Sequence, residues 1–366
     1  MATFVSRPDT FVVEEIPAYL PVGTGEHAYC WIEKRDLTTH EAIRRLARFF
    51  GLKDRDVGCA GLKDRHATTR QWLSFVGVKD DVIASVVADG EIDGLRVLRA
   101  ARHVNKLRMG HLRGNHFEVL LLDLEAGEAE RLSAAFLGLA EAGVPNRYGH
   151  QRFGMAGDNV ATGLAVLRGT RREPDRRRRE LMLSALQSAV FNRTLELRAQ
   201  SGGLLVVREG DVLQKRGSGG LFVTTDLATD AARVAAGEVV PTGPLPGNRE
   251  IEPPEGTAAR ALEDQALADV GLAREELVAL GRNLPGARRP VVVALGLDNP
   301  SGAPATEIGD DGRTLRLRFN LPAGSYATVA LEALGIESAR PARAANVGGD
   351  TGENAGGPAA SLADPA

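Results

Sequence analysis

At 366 residues the chain is long enough for two domains or for one domain carrying a large insertion, and a hydrophobic content of 43% with both charge signs well represented is that of a soluble, globular protein. No run of about 18 apolar residues is present, which argues against a membrane-spanning helix, and Met1 to Thr10 lacks the basic-then-apolar order of a signal peptide. Cys30 and Cys59 cannot make a disulfide framework and no Cys/His group has metal-ligand spacing, so a reducing, cytoplasmic setting and no metal are expected.

The formal net charge of −3 conceals a division. Residues 1–182 hold 28 Lys and Arg against 25 Asp and Glu, whereas the remainder holds 17 against 23. Local patches matter more than the total for a polyanionic partner. Arg102 to His116 carries Arg102, Lys106, Arg108 and Arg113, with three histidines and no carboxylate. Arg168 to Arg179 carries Arg168, Arg171, Arg172 and the run Arg176 to Arg179 against Glu173 and Asp175. Taken alone, either patch fits a solvated helix face as well as a phosphate-binding surface.

In chain order, Phe11 to Glu15 and His27 to Glu33 have the apolar and aromatic content of strands. Thr38 with Glu41 three residues later forms a capping box, and Ile43, Leu46 and Phe50 mark one face of a helix that Gly51 stops. A strand at Asp56 to Ala60, a polar loop at Gly61 to Thr69 and a strand at Gln71 to Val76 are expected next, then a strand at His116 to Leu122 and a helix at Ala126 to Glu141. The basic stretch from Arg168 to Pro174 reads as a hinge. After it Leu183, Leu186, Val190 and Leu197 keep a helical stripe up to Gly202 and Gly203. Strands are expected at Leu204 to Val207, Leu221 to Thr224, Val291 to Leu297 and Arg313 to Phe319, with two helical segments before Val291. Strands and helices mix without a βαβ rhythm, which indicates an α+β class. From Arg340 onward Gly, Ala, Pro, Asp and Asn dominate, so a disordered tail is expected over 340–366.

The pentapeptide from Gly51 to Arg55 recurs ten residues later as Gly61 to Arg65. Asp54, just after a helix, belongs to a solvated connection. Asp64 lies in a Gly-flanked loop between two apolar strands, where a carboxylate can be fixed and partly desolvated. Lys63 and Arg65 beside it would hold it ionised, as covalent catalysis by aspartate requires. The same residue could equally cap its own loop backbone. A divalent-metal site built from Asp54, Asp56 and Asp64 is disfavoured by Lys53, Lys63 and Arg65, which repel a cation.

The segment from Cys59 to Trp72 (CAGLKDRHATTRQW) resembles the signature of the TruD family of tRNA pseudouridine synthases, and further blocks agree in order. Pro8 to Glu15 resembles the family's N-terminal strand, Lys106 to Phe117 its K-L-R-x-G-x-L-x-G-N-x-F block, and Pro145 to Gly154 its P-N-Y-F-G-x-Q-R-F-G block. Ser184 to Arg198 resembles the helix opening the family's inserted domain, and Leu321 to Thr328 its C-terminal block. The resemblance covers residues 5–335 and implies that Asp64 is the catalytic nucleophile. It also implies that Phe11, Asn146 and Tyr326 contact the substrate nucleotide. Tyr148, Lys63, Arg108 and Arg113 join them as expected substrate-binding residues. The family usually has Phe where this chain has Tyr148 and Tyr326, and both swaps keep an aromatic face.

The implied fold is a pseudouridine-synthase-like catalytic domain with a mixed, mainly antiparallel sheet, interrupted by a large inserted α+β domain. Its parts would be 1–170 and 303–339 for the catalytic domain and 171–302 for the insertion. The implied activity is isomerisation of a tRNA uridine, uridine 13, to pseudouridine. That reaction changes no oxidation state and adds no group, so no cofactor is expected. The expected partner is tRNA, with no membrane and a monomeric chain. Truncation after Arg343 should leave folding and activity intact, because the tail lacks apolar residues to anchor it; a large fall in melting temperature would show that it docks.

Overall fold

The computed structural model describes residues 2–89, 91–92, 94–154, 157–248, 250–279, 284–296 and 303–339. The expected tail at 340–366 lies outside them. The fold follows from strands with one buried face. In Phe11–Pro17 the odd positions Phe11, Val13 and Glu15 are buried while Val12, Glu14 and Ile16 are less so. Leu315–Pro322 buries Leu315, Leu317 and Phe319 in the same rhythm.

These strands belong to one nine-stranded sheet. Its order runs Ala305–Ile308, Leu315–Pro322, Leu112–Leu121, Phe11–Pro17, Thr68–Val76, His27–Arg35, Leu95–His103, Glu91–Ile92, and Gly58–Cys59 also pairs with Thr68–Val76. Every pairing is antiparallel except that of Phe11–Pro17 with Thr68–Val76. The centre joins distant parts of the chain: Phe117 faces both Val13 and Phe319. Helices Glu128–Ala142 and Ala327–Ala333 cover one core, in which Phe11, Phe117, Phe136, Phe319 and Ala67 are buried. Helix Thr39–Phe49 covers a second, around Cys30, Ile32, Leu73 and Phe75. Its N-terminus closes with the expected capping box between Thr38 and Glu41.

A second, four-stranded antiparallel sheet has the order Leu221–Val223, Val212–Lys215, Val239–Leu245, Ala287–Pro290. Helix Arg176–Gln200 runs past it, packed on helices Asn159–Leu167 and Ala258–Val270. Asp175 makes the N-cap of this long helix, accepting from Arg178 N–H. Gly163 lets the Asn159–Leu167 helix approach closely, since a Cβ there would sit 2.6 Å from Met182 O. Beyond the small sheet, Val292–Val293 pairs with Val144–Pro145, tying this part to the segment that carries Asn146. Among the described residues no helix is long and apolar enough to cross a membrane.

Several local expectations differ from what forms. Asp56 to Ala60 is not one strand: a 3₁₀ turn covers Asp54–Asp56, and only Gly58–Cys59 pairs. Leu204 to Val207 is not a strand either. The carbonyls of Leu204 and Val206 accept from the Arg198 guanidinium, which replaces ladder partners, and Leu205 and Val206 face outward. Leu95–His103 was not anticipated as a strand, because its arginines break the apolar alternation; pairing with His27–Arg35 across a register shift at Trp31 and Ile32 forms it.

Arg198 holds its turn through a buried ion pair with Asp211, 2.7 Å apart, with both side chains 2% exposed. Arg198→Met would leave Asp211 as an uncompensated buried charge, so a loss of about 3–5 kcal/mol is expected in urea unfolding. A loss under about 1 kcal/mol would show that the pair behaves as a surface bridge.

Candidate active site

Asp64 is presented by the loop between Gly58–Cys59 and Thr68–Val76, and buried polar groups hold that loop from below. Lys34, fully buried on strand His27–Arg35, donates from Nζ to the carbonyl of Asp64 at 2.7 Å and to that of Leu37. Thr39 Oγ1 accepts from Lys63 N–H at 2.9 Å and donates to Gln71 Oε1 at 2.9 Å. Gln71 Nε2 in turn donates to Gly61 O at 3.0 Å. The Lys63 side chain turns into the protein and meets Glu15 at 3.1 Å, both almost fully buried. Glu15 Oε1 also accepts from Trp72 N–H. The backbone of the loop is thereby held at both ends and in the middle.

Asp64 is exposed to solvent, yet protein atoms crowd its carboxyl enough to disfavour the charge. Accessibility decides what can reach it, while crowding decides its proton affinity. Desolvation raises its pKa above the usual aspartate value, opposed first by the Lys34 charge, then by the hydrogen bond from its own N–H and by Lys63. Burial pulls Lys34 down to about 8. The cation expected to hold Asp64 ionised is therefore chiefly Lys34, not its sequence neighbours. Lys63 is engaged with Glu15, and Arg65 points to solvent 3.9 Å from Glu41. Asp54 lies exposed on its 3₁₀ turn, 4.0 Å from Arg44.

Asn146, Tyr148 and Tyr326 come together in one cluster. The Tyr148 and Tyr326 ring centroids are 6.3 Å apart. Asn146 is buried; its amide nitrogen donates to Pro290 O at 3.0 Å, and its side-chain oxygen accepts from Ser325 Oγ and from Arg289. Arg289 also donates to Asn146 O and Gly324 O, and its guanidinium lies 4.3 Å from the Tyr148 ring centroid. Asn192 exchanges two hydrogen bonds with the Tyr148 backbone. Phe11 stands apart from the tyrosines, buried against Phe4 and stacked 6.1 Å from Phe117. The Asp64 loop and the tyrosine cluster meet through a shared core, in which Ala67 and Phe11 are buried and against which Tyr326 packs.

Of the basic patches, Arg108 and Arg113 are exposed and take part in no ion pair among the described residues. Arg102 is held by Asp80, Lys106 by Arg55 O, and Arg168 by Glu276 and Gly271 O. Arg176 and Arg178 pair with Glu180 and Glu173. Three of the seven arginines in the second patch are thus paired with carboxylates, and the expected hinge at Arg168 is a fastened contact.

Comparison with known proteins decides what this arrangement belongs to. The family model for tRNA pseudouridine synthase D (TruD) matches residues 2–175 and 172–334. The chain belongs to the TruD family. A tRNA pseudouridine synthase D from Anaeromyxobacter dehalogenans (strain 2CP-C) is 42% identical over 333 residues, covering 89% of this chain and 91% of the relative. One from Thermus thermophilus is 40% identical, covering 91% of this chain and 88% of the relative. The crystal structure of a TruD protein from Methanosarcina mazei shares the fold with a TM-score of 0.72, at 21% identity over 92% of this chain and 94% of that one.

Within this TruD-family fold, Lys34 and Arg289 lie outside the sequence motifs, and Glu15, the last residue of the Pro8–Glu15 block, was assigned no role there. Two carried a signal. Lys34 shares its strand face with Ala28, Cys30 and Ile32, and Glu15 shares its face with Phe11 and Val13, so each is a charge at a core-facing position. Arg289 carried none, since its partners lie more than 140 residues earlier or 35 later in the chain.

The raised pKa of Asp64 has a definite sign. Between the ordinary value of 3.8 and the folded value, the unfolded chain has lost its proton while the folded chain keeps it, so stability falls as pH rises through that window. Lys34→Met removes the largest opposing charge and should raise the Asp64 pKa further. Side-chain carboxyl NMR of both proteins checks this, and an unmoved resonance would deny Lys34 that role.

Proposed function

We propose that this chain isomerises uridine 13 of tRNA to pseudouridine with Asp64 as the nucleophile. A carboxylate that solvent can reach, on a loop whose Gly61, Lys63 and Asp64 backbone groups are engaged from below, carries this reading. Membership of the TruD family supplies the class of reaction and of substrate. In that reaction the N1–C1′ bond breaks, the freed uracil turns, C5 bonds to C1′ and loses its proton, and N1 ends carrying a proton. An ionised carboxylate can serve at C1′, at C6, or at the 2′-proton. Lys34, beneath the loop, favours the ionised form while its hydrogen bond to the Asp64 carbonyl keeps the loop in place.

The target base must leave its stack to reach Asp64, at a cost of a few kcal/mol. Tyr148 and Tyr326, with Asn146 beside them, offer aromatic faces for it, while Phe11 lies in the core against which Tyr326 packs and Lys63 holds the loop. Arg108 and Arg113, exposed and unpaired, suit phosphate contacts outside the pocket. We further propose the division into a catalytic domain of 1–170 with 303–339 and an insertion at 171–302, which places the large sheet in the first and the small sheet in the second.

Asp64→Asn should abolish pseudouridine formation while tRNA binding survives, and Asp54→Asn should be nearly silent. Mapping pseudouridines in tRNA incubated with each variant tests this, and an essential Asp54 would overturn the assignment. Tyr326→Phe should keep most activity, whereas Tyr326→Ala loses a stacking contribution of about 1–3 kcal/mol, roughly five- to 150-fold in turnover or affinity. A Phe variant as inactive as the Ala variant would move the role to the hydroxyl.

A further inference from the structure

Buried arginines elsewhere in this chain meet carboxylates. Arg198 pairs with Asp211, and Arg288 pairs with Glu263 at 2.6 Å. Arg289, the next residue along the strand, does not. Its donors go to Asn146 O and Oδ1, Gly324 O and the Tyr148 hydroxyl, all neutral acceptors. A second guanidinium, that of Arg152, stands 5.6 Å from the same Tyr148 ring centroid, and its one side-chain hydrogen bond goes to Ser188 Oγ at 3.3 Å. Neither arginine has an ion pair among the described residues, and both remain partly accessible. Two like charges thus share one phenol ring with nothing opposite in sign to offset them. The arrangement costs energy unless an anion arrives.

We infer that Arg289 and Arg152, both beside the Tyr148 ring, form a seat for a phosphodiester group of the substrate RNA. Planar guanidinium groups donate to phosphate oxygens in pairs, which Arg152 has the donors to do, while Arg289, with its Nε and Nη2 hydrogens engaged, offers Nη1 and its charge; a phosphate here would supply the missing negative charge. Arg289 comes from the small sheet and Arg152 from the short 3₁₀ helix His150–Phe153. The seat is therefore complete only when the insertion is docked. The inference rests on the reading of the chain as a tRNA-modifying enzyme and adds the residues that hold the backbone beside the tyrosine cluster.

The test uses the full-length protein with Arg152→Met, Arg289→Lys and the two combined. Arg152 makes a single weak hydrogen bond, so its variant should fold normally and keeps the test decisive if the Arg289 variant is unstable. Each single variant should raise KM for tRNA roughly ten- to a hundredfold with kcat changed far less. The slope of log affinity against log salt should become shallower by about 0.7 for each lost phosphate contact. Inorganic phosphate should raise the melting temperature of the parent more than that of the double variant. If Arg152→Met keeps the parental KM, salt slope and phosphate response, there is no seat. A fall in kcat at unchanged KM in Arg289→Lys would leave Arg289 as a residue that only positions Asn146 and Tyr148. Asp64→Asn assayed alongside separates the two ideas: persistent pseudouridine formation there would reject the catalytic reading, whereas the phosphate response reads the seat without any activity.

Discussion

The ammonium of Lys34, buried without a carboxylate in direct contact, is the interaction on which the candidate site depends. It holds two carbonyls, Leu37 O just before the helix Thr39–Phe49 and Asp64 O in the exposed loop, and so locks the loop to the strand beneath it. Burying a charge is costly, and the lowered pKa of Lys34 is the mark of that cost. What it secures is a fixed cation under a carboxylate that would otherwise be pushed toward its neutral form. The buried Lys63–Glu15 pair next to it uses the same device in another direction, anchoring the loop to the central strand Phe11–Pro17. Two adjacent motif residues thus diverge, Lys63 inward and Asp64 outward.

The large sheet explains why such a site can be rigid. Its central strand Phe11–Pro17 is flanked by Thr68–Val76, which follows the Asp64 loop, and by Leu112–Leu121, which pairs in turn with Leu315–Pro322. Strand Leu315–Pro322 leads directly into the turn that carries Tyr326. Displacing any one strand would move both the loop and the tyrosine, because they hang from one hydrogen-bonded ladder and one core. The small sheet reaches the same place by another route: strand Ala287–Pro290 brings Arg289 to Asn146, and Val292–Val293 pairs with the strand just before Asn146.

How far all this was legible in the sequence differs from feature to feature. Apolar and aromatic content revealed the central strands, and the Thr38–Glu41 box placed the start of the first helix to the residue, because both signals are local. Leu204 to Val207 misled for the opposite reason: its apolar content satisfies strand propensity, but a guanidinium from Arg198 took its carbonyls. Leu95–His103 was hidden because pairing, not its own composition, makes it a strand.

Sequence alone determined the family and the α+β class, and it singled out Asp64 rather than its near-duplicate Asp54 as the residue to propose as nucleophile, since these depend on residue types at fixed spacing. Tertiary structure decided which cation faces Asp64, that Lys63 belongs to Glu15, and that Arg65 belongs to the surface. It also decided that Arg168, Arg176 and Arg178 of the Arg168–Arg179 patch pair with carboxylates, while Arg108 and Arg113 take part in no ion pair among the described residues. The physical reason is one of range. Propensity, capping and motif spacing act within a few residues, whereas electrostatic partners are chosen by distance in space, and here they come from strands and helices far apart along the chain.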